Sequence, residues 1–309
     1  MELISSLNDI KKLDCKSCIS IGTFDGLHKG HQILIENLIN LSKNKKNKSI
    51  VYTFANHPKE LTNKNCFPKK IVTNADKIKL FEKMGVDILL LLNFDEFHKN
   101  TYAEDFVRDI LINRLNMEAI IVGYDFRFGK NAEGSSELLK KLSKKYNFDI
   151  NVVMPIKIDN EIVSSTLIRK FLSEGQVEKA NNFLGWKYFL RGKVIRGRQL
   201  GSKLGFPTAN ILVDSKLCLP KTGVYITKTY IDNKSYYSIT NIGFKPTFNE
   251  NSYSIETYII NFSENIYDKE IKVEFHKRIR DEMKFDTVKL LCNQIECDIY
   301  SVKNFFKII

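Results

Sequence analysis

The sequence predicts an α/β half built on a doubly wound parallel sheet, followed by a β-rich half that forms an antiparallel barrel or sandwich with a closing helix. Three observations carry this. Apolar runs of strand length alternate with segments of helical period through the first 185 residues. Short β-rich runs separated by turn residues fill most of the remainder. Near the end, Val288, Leu291, Ile295, Ile299, Val302 and Phe306 are spaced to bury one helical stripe against the barrel. A length of 309 residues leaves room for about two domains with separate cores. The pattern changes at Gly185-Trp186-Lys187-Tyr188, so the domains are expected over 1–185 and 186–309.

Taken in order, Cys18-Ile-Ser-Ile21 is a buried strand, and Ile33, Leu34, Ile35, Leu38, Ile39 and Leu41 form the apolar face of the next helix. Ser49–Phe54 is a second strand, Asp76–Met84 a helix and Val86–Asn93 a buried strand. Thr101–Leu115 is a helix opened by the capping-box pair Thr101 and Glu104. Glu118–Val122, Ser135–Tyr146 and Ile150–Met154 add a strand, a helix and a fifth strand. Uniformly apolar strands alternating with helices imply a parallel sheet, whose ligands gather beyond the carboxyl ends of the strands. Ser173–Leu184 reads as the terminal helix of this half. The β-rich runs are Tyr188–Ile195, Thr208–Val213, Gly223–Tyr230, Lys234–Ile242, Ser254–Asn261 and Glu270–Phe275, before a final helix from about Asp286.

Hydrophobic content of 43% and aromatic content of 11% belong to a soluble globular protein. The formal charge of +12 suits nucleic acid, a membrane surface or small polyanions such as nucleotides. Its densest run, Lys43-Asn-Lys-Lys-Asn-Lys48, lacks interleaved aromatics, which favours a solvated helix end over a nucleic-acid partner. Cys15 and Cys18 have the spacing of half a zinc site, but no second pair matches them. Cys15, Cys18, Cys66, Cys218, Cys292 and Cys297 are therefore expected as buried free thiols in a reducing cytosol. Met1–Lys16 has no apolar core of signal-peptide length, and the longest apolar run, Ile88–Leu92, is too short to span a bilayer. The expectation is a cytoplasmic monomer or weak homo-oligomer acting on small molecules, with no nucleic-acid or membrane partner.

Between the first strand and helix lies Gly22-Thr23-Phe24-Asp25-Gly26-Leu27-His28-Lys29-Gly30-His31. Gly22, Gly26 and Gly30 let the backbone approach a ligand, and the first helical turn offers unpaired N–H groups and a positive dipole end. His28 and His31, three apart at the helix entrance, can lean to one side and neutralise a polyphosphate. The pattern resembles the His-x-Gly-His signature of the nucleotidyltransferase superfamily, which transfers a nucleoside monophosphate from ATP or CTP. Phe54-Ala-Asn-His-Pro58 either faces this site or simply ends its strand. Gly123-Tyr-Asp-Phe-Arg-Phe-Gly129 can grip an aromatic ligand and its phosphate, hold a metal through Asp125, or fold over the core as an aromatic-rich loop. Ser164-Ser165-Thr166 opens a short helix with Arg169 one turn in, a second polyphosphate seat. Two seats flanking one crevice suit in-line displacement at an α-phosphate, where positioning and charge neutralisation carry the rate.

A second chemical centre lies in the β-rich half. Arg196-Gly-Arg-Gln-Leu-Gly-Ser-Lys-Leu-Gly-Phe-Pro-Thr-Ala-Asn210 is either a phosphate-sized loop with Gly197, Gly201 and Gly205, or a turn around Pro207. It feeds Thr208 and Asn210, which strand alternation puts on one face, where hydroxyl and carbonyl oxygens suit a Mg²⁺ carrying ATP phosphates. Glu256 is an outward strand charge or a general base for an attacking alcohol.

Gly205-Phe-Pro-Thr-Ala-Asn210, Asn241-Ile-Gly-Phe-Lys-Pro-Thr-Phe248, Glu256 and Arg280-Asp-Glu-Met-Lys-Phe285 together resemble the riboflavin kinase family. With the N-terminal motifs, nearly the whole chain is similar to the bacterial bifunctional riboflavin kinase/FAD synthetase family. The resemblance implies a C-terminal six-stranded, Greek-key barrel that phosphorylates riboflavin from Mg-ATP, and an N-terminal Rossmann-like domain that adenylylates FMN to FAD. It implies that Thr208 and Asn210 bind Mg²⁺ and ATP beside Gly201, Gly205, Pro207 and Asn241. Glu256 would be the base for the ribityl 5′-hydroxyl, and Arg280 would sit in a loop near the flavin. His28, His31, Ser164, Ser165, Thr166 and Arg169 would hold the second ATP with Gly22, Phe24, Asp25 and Gly26, and Asp125 would border the adenylylation site. The family often has Asn at Thr23 and Arg at Ser202, and usually an Arg where this chain has Asn131-Ala132. These departures make a riboflavin kinase with a weak or inactive adenylyltransferase domain the alternative reading.

Overall fold

The computed structural model describes all residues except 11, 63–66, 198–200, 202–203, 233, 246–251 and 309, and gives only the backbone of 62, 245 and 252. It falls into two compact units, Met1–Ser165 and Thr166–Ile309.

The first unit is a six-stranded parallel sheet of β1 (Glu2–Ile4), β2 (Ser17–Ile21), β3 (Lys48–Phe54), β4 (Ile88–Leu92), β5 (Met117–Gly123) and β6 (Asp149–Val153), in the order β1-β4-β3-β2-β5-β6. β2 and β4 are buried throughout, as continuous apolar runs require. On one face, α1 (Lys29–Lys45) covers Cys18, Val51 and Ile121 with Leu34, Ile35, Leu38 and Ile39. α2 (Pro58–Thr62) is a short turn of helix, and α3 (Asn74–Met84) adds Phe81 to the same layer. The other face is covered beyond α4 (Glu96–Asn100), where α5 (Ala103–Asp105) widens into a π-helix over Phe106–Ile112. α6 (Ser136–Tyr146) completes that layer. Connections run from β2 through β3 to β4 on one side and to β5 and β6 on the other, so the sheet reverses direction beside β2. The crevice of such a sheet opens there, at the carboxyl end of β2. A two-stranded hairpin, β7 (Lys157–Ile158) and β8 (Glu161–Ile162), follows β6.

The expected capping box does not form. Tyr102 precedes the helix with no side-chain cap, Thr101 donates its hydroxyl to the Phe97 carbonyl at 2.6 Å, and Glu104 binds Lys145 and Tyr146 at 2.6 and 2.7 Å. A long-range partner outcompetes the local one.

In the second unit the short helix expected after Ser164 is α7 (Ser165–Ser173), and the terminal helix expected over Ser173–Leu184 begins later, as α8 (Val177–Leu184), because the chain turns at Gly175 with φ +78°. Both pack on the barrel: the Leu172 carbonyl accepts the Lys221 N–H at 2.9 Å, and Asn181 donates to the Phe275 carbonyl at 2.9 Å. The barrel is closed by β9 (Phe189–Ile195), β10 (Thr208–Leu212), β11 (Gly223–Ile231), β12 (Lys234–Lys245), β13 (Ser252–Ile259) and β14 (Glu270–Arg280), in the order β10-β13-β12-β11-β14-β9. β11 to β13 form hairpins and β10 returns beside β13, a Greek key. α9 (Val288–Phe306) packs on the outer residues Val224, Ile226 and Ile239 through Ile299, Val302 and Phe306. The amino-terminal part of the expected stripe is not buried: Val288 is 59% exposed.

Alternation sends the intervening residues inward. Thr229, Ser238, Thr227, Thr240 and Thr257, all fully buried, form a hydroxyl chain with contacts of 2.8, 2.8, 2.9 and 2.9 Å. Arg280 ends β14 and reaches α9, where its Nε and NH2 donate to the Asp298 carboxylate at 3.1 and 2.7 Å. Asp298 is 3% exposed and also accepts from Gln294 at 3.1 Å.

Asp298→Ala removes the buried carboxylate that pairs with Arg280, and is expected to cost about 3 kcal/mol. Trp186, the single tryptophan of the chain, lies in this unit, so its fluorescence during urea unfolding measures the loss. An unchanged midpoint would show that the pair does not fasten α9.

Two candidate active sites

The first site grows from the end of β2. The strand delivers the chain into a tight turn, and His28 caps α1, its Nδ1 accepting the His31 N–H at 3.3 Å. The two imidazoles stack with centroids 3.6 Å apart and planes 16° apart. A Cβ on Gly30 would stand 3.2 Å from the His28 ring, and one on Gly22 would stand 3.1 Å from the Phe24 ring, so both positions are kept bare for an aromatic neighbour. Phe24 is 1% exposed and meets His31 edge-on at 5.2 Å. Asp25 is buried, its carboxylate accepting the Ile71 N–H at 3.0 and 3.2 Å. Gly26 takes φ +79°. Phe24 and Asp25 thus shape the turn from behind, while the imidazoles occupy the entrance of α1.

His31 sits well below the ordinary imidazole range, first because it is buried, then because His28 and Lys77 place positive charge beside it. Its Nδ1 is buried without a partner. Sequence reasoning missed Lys77, which is buried on α3 four residues before Phe81; a lysine on the apolar face of a helix was the available signal.

Ser165 donates its hydroxyl to the Asp25 carbonyl at 2.8 Å, tying the start of α7 to the turn. Ser164 immediately precedes α7, whereas Thr166 and Arg169 lie within the second compact unit. In the 123–129 segment Asp125 is exposed, while Phe126 and Phe128 stack at 5.3 Å and pack against the core, so the aromatic half of that loop is core covering. Asn131 and Ala132 both take positive φ, +54° and +57°.

The second site lies on the outer face of the barrel. Ala209 and Ile211 point inward, leaving Thr208 and Asn210 half-buried on the outside. Register pairs Asn210 with Glu256 across β10 and β13, and Glu256 with Asn241 across β13 and β12. The three form one row, which the sequence spacing alone did not show. Asn241 donates to Glu282 at 3.4 Å. Before this row, the Gly201 carbonyl accepts the N–H groups of Leu204 and Phe206 at 3.0 and 2.9 Å, and Gly205 and Pro207 are exposed. Ser202 and the Pro246-Thr247-Phe248 part of the downstream motif lie outside the described residues. Arg280, expected in a loop, is the last residue of β14 and is committed to Asp298.

Cys18 and Cys218 are buried free thiols as expected, but Cys15 and Cys297 are exposed and Cys292 is half-buried; Cys66 lies outside the described residues. Among the described residues no cluster of three His, Cys, Asp or Glu is placed to hold a metal, and no helix is long and apolar enough to cross a membrane.

Comparison with known proteins matches residues 10–167 to the FAD synthetase family model and residues 184–306 to the riboflavin kinase model. The chain is 38% identical to the bifunctional riboflavin kinase/FMN adenylyltransferase of Buchnera aphidicola subsp. Schizaphis graminum, over 100% of both chains. The chain belongs to this bifunctional family. Enzymes of the same name from Bacillus subtilis and Escherichia coli K12 are 35% and 30% identical, covering 96% and 99% of this chain and 95% and 98% of theirs. A solved structure described as a macrolide-efflux protein from Streptococcus pneumoniae superposes with a TM-score of 0.90 at 29% identity, covering 98% of each chain. The protein is accordingly a transferase of flavin cofactor synthesis, forming FMN from riboflavin and ATP and then FAD from FMN and ATP. Both domains are present, and nothing in the comparisons favours a kinase with an inactive N-terminal half.

A histidine whose folded pKa lies below its unfolded value binds its proton more readily when unfolded, so the stability it contributes is complete above about pH 6.5 and falls below that. His31 is expected to stay neutral at pH 6 in NMR titration of its ring protons. A midpoint at or above 6.5 would contradict its burial.

Proposed function

We propose that residues 1–185 carry the adenylyl transfer and residues 186–309 the phosphoryl transfer. The observation that carries the first assignment is the stacked His28–His31 pair at the start of α1, at the reversal point of the sheet. A triphosphate seated there meets N–H groups, a helix dipole and two imidazoles that can take up a proton as phosphate charge arrives. Ser164 and Ser165, in the same unit as the turn, complete the seat, and Asp125 borders the flavin side. An oxygen of the FMN phosphate attacks the α-phosphorus, the bond to the bridging oxygen breaks, and pyrophosphate leaves with its charge balanced by the histidines and the α1 N–H groups.

In the barrel, Glu256 takes the proton of the ribityl 5′-hydroxyl as its oxygen attacks the γ-phosphorus and ADP departs. Gly201, Gly205 and Pro207 shape the loop over the phosphates, and Asn241 and Arg280 support the row and the segment after it. The outward hydroxyl of Thr208 and amide of Asn210 are hard oxygen donors, so they fit a Mg²⁺ that also holds ATP phosphates. When bound, that ion neutralises charge on the transferred phosphoryl group. We further infer a cytoplasmic protein, monomeric or weakly self-associating, whose partners are riboflavin, FMN and ATP rather than nucleic acid or membrane.

Purified protein given riboflavin and Mg-ATP, with FMN and FAD separated over time, tests the division of labour. His28→Ala is expected to lower FAD formation about 100-fold while sparing FMN formation. Glu256→Gln is expected to lower FMN formation from riboflavin about 100-fold or more, while added FMN is still converted. Loss of the same step in both variants would overturn the assignment.

A further inference from the structure

Among the described residues, Lys77 is the one lysine or arginine that the fold buries, at 5% exposure. Its ammonium donates to the Thr23 carbonyl at 2.8 Å and to the Phe54 carbonyl at 3.3 Å. Thr23 belongs to the turn after β2, and Phe54 is the last residue of the neighbouring strand β3. Thr53 donates its hydroxyl to the same Thr23 carbonyl at 3.2 Å, so that carbonyl is held from two sides. Packing alone does not account for a lysine here, because a buried ammonium is costly and a methionine would fill similar space. The charged groups facing it are Asp25 from the turn, Lys70 from the segment before α3 and His31 from α1.

We propose that Lys77 is a positioning residue for adenylyl transfer: its buried ammonium clamps the Thr23 and Phe54 carbonyls together, fixing the turn so that His28, His31 and the α1 N–H groups meet a triphosphate in one geometry. This role presupposes that the turn is the ATP seat. The charge also stands directly behind that seat, where burial leaves it weakly screened. Burial, opposed by Asp25, brings the Lys77 ammonium down to about 8. It is therefore charged at pH 7 and loses its proton as pH rises through about 8, leaving an amine whose bonds to carbonyls are weaker.

The test uses the full chain with Lys77→Met and Lys77→Arg, following FAD formation from added FMN and, as an internal control, FMN formation from riboflavin. Lys77→Met is expected to lower the kcat of FAD formation about 100-fold, with FMN formation within about twofold of the parent. The His31 ring should titrate at higher pH in Lys77→Met, since one of the charges depressing it is gone. Lys77→Arg is expected to restore most of the rate. In the parent, FAD formation should fall above about pH 8, and Lys77→Arg should move that limb upward because a guanidinium keeps its charge. A folded Lys77→Met that makes FAD at the parental rate overturns the proposal, as does an alkaline limb unmoved in Lys77→Arg. If Lys77→Met does not fold, the pH profile of Lys77→Arg decides. His28→Ala measured in parallel separates the two levels: full FAD formation there overturns the seat itself, and the Lys77 role with it.

Discussion

Two imidazoles packed face to face at 3.6 Å disfavour a positive charge on both at once, and much of the N-terminal half follows from this. His31 is kept neutral by burial and by the cations around it. The chain passes close to the His28 ring at Gly30 and to the Phe24 ring at Gly22, and both positions are bare. The turn carrying the rings is then pinned from below by the Asp25 carboxylate on the Ile71 N–H and by the Ser165 hydroxyl on the Asp25 carbonyl. The result is a site ready to gain charge when an anion arrives. It sits beside β2, where the sheet order reverses and no crossover helix covers the strand ends.

The barrel solves a related problem by register. Asn210, Glu256 and Asn241 face outward in one row only because β10, β13 and β12 are paired as they are. A slip of one residue would turn Glu256 into the barrel. The buried hydroxyl chain guards against that slip: each of its four contacts contributes about 1 kcal/mol, but a slipped strand would leave hydroxyls unpaired in the interior at a larger cost. Thr240 and Thr257, which pair with each other inside, directly neighbour Asn241 and Glu256 outside.

The strands of both halves were legible because their burial pattern is written in residue type: Ile88–Leu92 is apolar throughout and β10 alternates. What escaped depended on partners far away in sequence. Glu104 looked like half of a capping box until Lys145 and Tyr146 claimed it. β1 is three residues long and exists through its pairing with β4. Arg280 was readable as part of a motif, but its commitment to Asp298 depends on where α9 docks. The turn around His28 was visible as glycines and histidines, whereas Lys77, 46 positions beyond His31, had no local motif to mark it.

The different equipment of the two sites follows from their nucleophiles. A phosphate monoester such as FMN is already ionised at neutral pH, so adenylyl transfer needs no base, and the seat we propose, of imidazoles, helix N–H groups and a buried ammonium, would meet its demands. The ribityl hydroxyl of riboflavin is a neutral alcohol whose proton must go somewhere as the oxygen attacks, which calls for a carboxylate fixed within reach. On the barrel, Glu256 in its row of amides is the carboxylate we propose for that role, while the one carboxylate in the His28 turn, Asp25, is buried and accepts the Ile71 N–H. That contrast matches the order of the chemistry, in which the product of the base-requiring step is the pre-ionised nucleophile of the next.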